Sequence, residues 1–566
     1  ERLEAESAVN AEWYASRVAR LAAEQEVGLA ATEWGRFIAC SERPNVMSEA
    51  EVNAFLTEWR ERSREDIWKT LPTCTMATEL IASMDVEGAH AHDRGDEKMA
   101  MWQRELSMLI FEQLLSKLDG ATADFMLHAE EYVNAKMECC VTVAARGCHF
   151  GLWVNLAKNP RVKSIEYANL NISVELPKSL ALASIAVRIV QYETDFVSPY
   201  ASPEAAAAAT FMTLGGVVKI ELLSLPPSAK KVKGWTMRPV TEMTHTVMRQ
   251  QYPIPDASGN IPLNAPPLRI TYAIPKNVIL QESEPQRVGW WDDKVQQWKL
   301  DEISDIAYTP ETRTISFDTL HLTSLALLQH THLELPYKNW LISPTTASSG
   351  ELYLQTSGVG LVHISISANG TVLKAPRLPE LKELLDTPLP ASTLLIRLRA
   401  AGINLMPRDV DATQLERVTP KDASLEVELH DAIAPLAARY HLCSSRWNPS
   451  RGHAKGTLRF AVKEEGYGDE APSTETPAEP FAVIQPEWAT LEYAKRRVLL
   501  IAATDADDTC DESALPETVA HSTPLECLKD RDPDLADVLL SSSRLYQDSV
   551  RQLMDNLRLL SFTQSA

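Results

Sequence analysis

The sequence predicts a multidomain α+β protein, with an N-terminal helical region, a central antiparallel β-sandwich and a C-terminal α+β domain carrying a terminal helix. Three observations carry this reading. Up to about residue 150, apolar side chains recur at helical spacing behind cap signals. After Gly151 the texture changes to short segments rich in Ile, Val, Thr and Tyr and separated by proline, which is the pattern of short sandwich strands. From Leu352 onward, hairpin-like and helix-like segments alternate. At 566 residues the chain exceeds what one core normally holds. The texture changes divide it into 1–40, a charged helix or coiled-coil end; 41–150, a helical domain; 151–345, a β-sandwich; and 346–566, an α+β domain with acidic loops.

The Ala- and Glu-rich start, with Trp13, Val18, Leu21, Leu29 and Trp34 among charges, predicts a helix. Ser48-Glu49-Ala50-Glu51 is a capping box, and Val52, Phe55, Leu56 and Trp59 behind it fall at i, i+3, i+4 and i+7 on one buried stripe. A second helix is expected from about Met99 to Leu118, with Trp102, Leu106, Leu109 and Ile110 inward and Asp119-Gly120 as its stop. A third is expected from Ala121 to Met137.

Strands are expected at Ser164–Glu175, Val217–Leu223, Leu268–Ile274 and Arg313–Phe317. Ile315 and Phe317 share a face, Leu325 and Leu327 return to it, and Asp318-Thr319 between them reads as a turn or bulge in a hairpin. Trp290, Trp291 and Trp298 are expected to stabilise this domain without binding a ligand.

In the last domain, LYLQTSGVGLVHISI reads as a hairpin, PELKELLD as a short helix, TLLIRLRAAGI as a helix ending at Gly402, and GTLRFAV as a strand. The acidic stretches after Lys463 and over Thr504–Glu517 are expected to be mobile loops, because they lack large apolar residues. Leu545, Val550, Leu553, Leu557 and Leu560 recur at helical spacing near the end. This helix and the N-terminal one are expected to carry apolar residues that the domains need not absorb, and so to face partners.

Composition bounds the function. With 77 acidic against 55 basic residues the formal charge is -22, which disfavours a general grip on nucleic acid or an anionic membrane. Cys40, Cys74, Cys139, Cys140, Cys148, Cys443, Cys510 and Cys527 are spread too unevenly for a disulfide framework, which favours a reducing compartment. No apolar run reaches the length of a membrane span. The chain opens on Glu1 and not on methionine, so room is left for a preceding segment.

Chemical constellations are few, and each has a bland reading. Cys139, Cys140, Cys148 and His149 lack the paired spacing of tetrahedral zinc sites and read as buried helix cysteines. His90 and His92, beside Asp93 and Asp96, and His330 and His332 are pairs for one strand face without a third ligand. Asp505, Asp507, Asp508 and Asp511 lack the turn glycine of a calcium loop and have Pro516 where a bidentate glutamate belongs. Gly358-Val359-Gly360 sits inside strand-like sequence, and no phosphate-binding loop, GxSxG or HExxH occurs. His321-Leu322-Thr323 resembles the self-cleaving site of adhesion-receptor GAIN domains, in which the threonine hydroxyl attacks the preceding carbonyl; a plain β-turn is preferred, since the bracing cysteines of that family are absent. No catalytic, cofactor-binding or metal-ligating residue is assigned, and no cofactor.

Two stretches, WGRFIACSERPNVMSEAEVNAFLTEWRE and GWWDDKVQQWKLDEISDIAYTPETRTISFDTLHLTSLALLQHTHLELPYKNW, are similar to the signature regions of the cancer-susceptibility-candidate family; LLIRLRAAGINLMPRDVD and SSRWNPSRG add a third region. Members of that family are intermediate chains of axonemal inner-arm dynein, associated with the two-headed arm. The resemblance implies a non-catalytic scaffold in the axoneme of a cilium or flagellum. Its implied partners are other axonemal intermediate chains, dynein heavy-chain tails, light chains and tubulin, with no nucleic acid and no membrane. Unlike other axonemal intermediate chains, this one shows no forty-residue WD-repeat period. Lys230-Lys231-Val232-Lys233 and Lys495-Arg496-Arg497 are the compact basic runs available to an acidic partner. A self-cleaving GAIN-like domain and a free cytoplasmic adaptor for dynein assembly remain as alternatives.

Overall fold

The computed structural model of the chain describes residues 2–39, 43–62, 66–134, 138–156, 158–227, 230–232, 235–237, 246–255, 262, 264–281, 284–418, 420–445, 448, 457–464, 479–483, 488–494, 497–501, 519–529 and 531–564. The fold is mixed α and β, with helices first, antiparallel sheets next and helices at the end. The chain divides into a mid-chain unit, Glu42–Val278 with Glu282–Gln329, and a terminal unit, Glu1–Ser41 with Ile279–Gln281 and His330–Ala566.

The early helices are α1 (Arg2–Ile38), α2 (Glu49–Glu61), α3 (Ile67–Asp93) and α4 (Glu97–Leu127). In the mid-chain unit, Ser48 caps α2 by accepting from Glu51 N at 3.4 Å, and the Glu51 carboxylate accepts from Asn45 N at 2.7 Å. Val52, Leu56 and Trp59 are buried as the stripe requires, and Phe55 packs beside them. The sequence reading missed α3, whose threonines and internal Pro72 blur its period. It also split α4. Asp119-Gly120 does not stop that helix, because the Asp119 carboxylate meets Arg188 at 2.7 Å and the backbone continues to Leu127.

The helical reading to about residue 150 reaches too far. After a 3-10 turn at Ala129–Tyr132, Glu138–Val143 and Cys148–Asn155 pair as antiparallel strands, with Cys139 opposite Val154. Val141, Thr142 and Val143 favour that pleat. Cys139, Cys140 and Cys148 are therefore strand residues and not helix residues.

These strands open an eight-stranded sheet. Its order is Glu138–Val143, Cys148–Asn155, Ile185–Tyr192, Phe211–Ser224, Ser324–His330, Arg287–Asp292 and Gln297–Lys299, with Arg249–Gln250 paired to Phe211–Ser224. A five-stranded sheet runs Ile303–Thr309, Thr314–Thr319, Leu268–Ala273, Ile172–Glu175, Ser164–Tyr167. Tyr167 ties the two together by donating its hydroxyl to Val187 O at 2.9 Å. Gly151 makes room for that ring, since a Cβ there would lie 2.5 Å from Tyr167 Cδ1.

Ile315, Phe317, Leu325 and Leu327 are all buried. Their strands do not form a hairpin, however. Thr314–Thr319 belongs to the five-stranded sheet and Ser324–His330 to the eight-stranded one, and the break falls at residues 320–323, not at Asp318-Thr319. Alternation alone cannot tell a hairpin from a crossover between layers.

The terminal unit is built on a nine-stranded antiparallel sheet, ordered Pro388–Leu389, Gly370–Ala375, Leu361–Ser367, Ser349–Gln355, Asn339–Thr346, Tyr440–Ser444, Thr457–Glu464, Ala489–Ala494, Arg497–Ile501. The predicted hairpin and the GTLRFAV strand lie in it. PELKELLD forms only a 3-10 turn at Pro379–Leu381, while α5 (Ala391–Ala400) ends before Gly402 as read. With α6 (Ala423–Ile433) and α7 (Arg544–Leu557), α5 shares one large core against Trp340, Ile342, Leu352 and Ile364.

The C-terminal helix is therefore not spare. Tyr546, Val550, Leu553, Met554 and Leu557 of α7 are buried within its own unit, and Tyr546 donates its hydroxyl to Ala437 O at 3.0 Å. The acidic stretches after Lys463 and over Thr504–Glu517 lie almost wholly outside the described residues, as do Cys40 and Cys510.

Candidate functional site

The residues singled out for chemistry do not converge. Cys74, Cys139, Cys140, Cys148, Cys443 and Cys527 are free thiols, and burial pushes the Cys148 thiol up to about 12, far from the reactive thiolate range. His90 and His92 sit in the last turn of α3 and not on a strand, each against a carboxylate: His90 is 3.6 Å from Glu87 and His92 is 2.7 Å from Glu97. The His330 and His332 rings lie 5.0 Å apart. Among the described residues, no group of three His, Cys, Asp or Glu is placed to hold a metal ion. The aspartates of the faint calcium pattern lie outside the described residues.

Gly358-Val359-Gly360 is the turn between Ser349–Gln355 and Leu361–Ser367, and a carboxylate already fills it. Glu334, buried, accepts from Val359 N at 2.9 Å, Thr356 Oγ1 at 2.7 Å and Gln281 Nε2 at 2.7 Å. Phosphate would meet that negative charge. At His321-Leu322-Thr323 the imidazole is drawn sideways. It stacks on Trp290 with centroids 3.7 Å apart, and its Nε2 lies 2.7 Å from Glu302, while Thr323 O accepts from Ile220 N at 3.1 Å.

Trp291 and Trp298 are core residues in edge contact at 5.3 Å, and Trp298 donates to Ser198 Oγ at 2.7 Å. Trp290 is only half-buried and belongs to the His321 stack.

Two buried polar clusters escaped the sequence reading because their members are far apart in the chain. In the mid-chain unit the Arg188 guanidinium, 2% exposed, meets Asp119 at 2.7 Å, Thr122 Oγ1 at 3.0 Å and also Glu221. Arg249 closes the set, 2.6 Å from Glu221 and 3.0 Å from Asp119. Burial alone would raise the Glu221 carboxyl, but the charges of Arg188, Lys219 and Arg249 outweigh it and hold the group at about 2. In the terminal unit, buried His430 has Nδ1 2.9 Å from Asp555 and Nε2 3.9 Å from Glu426. Glu426 in turn accepts from Ser561 N at 2.9 Å and Ser561 Oγ at 2.5 Å. The imidazole is thus flanked by two carboxylates, which suits a structural clamp.

Surface features remain. In the mid-chain unit a cavity of about 280 Å³ is walled by Phe111 of α4 and by Tyr192, Phe196, Tyr200 and Trp291. In the terminal unit α1 is held along its first two-thirds. Asn10 donates to Ser522 Oγ at 3.1 Å, Arg17 to Asp431 O at 3.3 Å and Gln25 to Asp548 Oδ2 at 3.3 Å. Beyond Gln25 the helix is exposed, with Trp34 at 62% and Phe37 at 72% stacked on each other.

What the described residues define is a mixed α and β protein built on antiparallel sheets. Comparison with known proteins shows what the chain is similar to. The model described as "Cancer susceptibility candidate 1 N-terminus" matches residues 1–161, the part of the chain that holds the first of the signature regions. Curated relatives match nearly end to end. Dynein axonemal intermediate chain 7 of Bos taurus is 23% identical over 94% of this chain and 87% of its own. The Homo sapiens protein of that name gives 23% over the same shares, and the homolog from Ciona intestinalis gives 22% over 89% and 83%. Among solved structures, the full extracellular region of zebrafish Gpr126/Adgrg6 gives a TM-score of 0.25 at 11% identity, over 49% of this chain and 32% of that one, too low to carry an argument.

Proposed function

We propose that this chain is a non-catalytic intermediate chain of axonemal inner-arm dynein, scaffolding the arm's intermediate-chain assembly and supporting ciliary or flagellar motility. The carrying observation is the extent of the match. Similarity to dynein axonemal intermediate chain 7 covers 94% of this chain and 87% of the Bos taurus protein, so it takes in both units and is not confined to one shared module. The clusters around Arg188 and His430 commit their titratable residues to packing, which suits a scaffold.

In this reading the partners are other axonemal intermediate chains, dynein heavy-chain tails and light chains, in the axoneme. Tubulin is a further proposed contact. The charge of -22 opposes general attraction to that acidic surface, and the basic runs at 230–233 and 495–497 lie partly outside the described residues. Fractionation of demembranated cilia tests the assignment. The chain should stay with the axoneme and leave it at high salt together with inner-arm subunits. Recovery wholly in the soluble fraction would instead identify a free cytoplasmic adaptor.

A further inference from the structure

We propose that the aromatic cavity of the mid-chain unit is a docking pocket for an arginine side chain presented by a partner polypeptide. The pocket, of about 280 Å³, lies at the small end for ligand sites, a size that suits one long side chain. Its apolar wall is continuous: Phe111 lies 5.2 Å from Phe196 and 5.9 Å from Tyr200, and Tyr192 meets Phe111 and Phe196 edge-on.

Charge selects the occupant. Glu112, one turn of α4 from Met108, and Asp293, beyond the strand that carries Trp291, line the pocket from different elements. Neither carboxylate has an ion-pair or hydrogen-bond partner among the described residues. The cation in the lining, Lys219, is already committed to Glu221 at 3.4 Å. An aromatic wall that shares its lining with two unneutralised carboxylates suits a planar cation that stacks on rings and donates to carboxylates through the same group, and guanidinium does both where ammonium or an aliphatic chain does one. Gln296 and Ser324 add polar atoms to the lining. The inference stands on the pocket alone and does not depend on the dynein reading.

The test uses the full chain and three capped tripeptides, Gly-Arg-Gly, its citrulline analogue and its norleucine analogue, titrated while tryptophan fluorescence is followed. Trp291→Phe identifies the part of the signal that arises in the pocket. The arginine peptide should saturate, with affinity about tenfold above both analogues and falling with salt. The double variant Glu112→Gln/Asp293→Asn should erase that preference while its circular dichroism is unchanged, since both side chains are exposed. Equal or tighter binding of the norleucine peptide, an arginine signal that persists in Trp291→Phe, or no saturation by the arginine peptide at millimolar concentration would each overturn the proposal.

Discussion

The helices at the two ends of the chain, α1 and α7, belong to the same unit and meet opposite fates. In α7, Tyr546, Val550, Leu553, Met554 and Leu557 are buried, and even Arg544, Gln547 and Asp548 are closed off from solvent. In α1 the anchored part is held by Asn10 to Ser522, Gln25 to Asp548 and Trp13 against the core, while Val27, Leu29, Trp34, Phe37 and Ile38 remain exposed. A clean 3.6-residue apolar period marks a helix that its own domain consumes, while apolar residues scattered among charges mark one it does not. Both read from sequence as spare; α7 is consumed, and of α1 only the part beyond Gln25 stays exposed.

The largest break of this comparison is truncation. Removal of residues 544–562 withdraws the middle of the terminal core, so loss of cooperative unfolding and rapid proteolysis of residues 330–543 are expected; a protease-resistant truncated chain would show that the nine-stranded sheet is stable without α7. A milder version is Leu553→Ala, which should cost about 2–5 kcal/mol in urea unfolding.

The mid-chain unit sharpens the contrast through charge in place of apolar period. Arg188→Met leaves Asp119 with Arg249 and Glu221 with Arg249 and Lys219, and truncating one partner of such a buried pair typically costs about 3–5 kcal/mol. The same network sets an acid limit. The Glu221 carboxyl, ordinarily 4.5, is held at about 2, so its ionisation stabilises the fold fully above pH 4.5 and that contribution is lost as pH falls towards 2. Arg188→Met should flatten this part of the stability–pH curve; an unaltered acid limb would move its origin elsewhere.

Tryptophans give the next step down. Trp298→Ala, which opens a cavity beside Trp291 and frees Ser198, should cost about 3–5 kcal/mol, whereas Trp290→Ala removes a half-buried ring and should cost about 1 kcal/mol. Thermal unfolding of both variants decides it, and equal losses would mean that the His321 stack matters as much as the core pair. The His321 stack also predicts an intact chain. With the imidazole held between Trp290 and Glu302, denaturing mass spectrometry after long incubation should find no fragment ending at Leu322.

Local patterns were legible where one residue's neighbours in sequence are also its neighbours in space. Ser48 and Glu51 announced α2, and Ile315 and Phe317 announced a buried strand face. Pairing across the chain was not. Asn10 meets Ser522 at a separation of 512 residues, so nothing in the N-terminal sequence places α1 against the C-terminal sheet unit. The charged set Asp119, Arg188, Glu221 and Arg249, buried at Arg188 and Glu221, draws one residue from a helix and three from strands, and each looks like an ordinary surface charge in its own segment. The aromatic pocket is likewise invisible, because Phe111, Tyr192, Tyr200 and Trp291 acquire a common wall only after α4 packs on the eight-stranded sheet.

The smallest expected effect concerns α1 itself. Its last turns bring no burial that folding could draw on, so Trp34→Ser and Phe37→Ser together should change unfolding free energy by no more than about 0.5 kcal/mol, the range of exposed substitutions. Arg17→Met, nearer the anchored part, should cost more, because Arg17 is buried and its guanidinium serves Asp431 at 3.7 Å and lies 5.9 Å over Trp13. Urea unfolding of the two variants side by side measures the difference. A loss above about 1 kcal/mol in the Trp34/Phe37 variant would mean that these rings are covered within the folded chain, and the contrast between the two ends of the molecule would then be one of degree only.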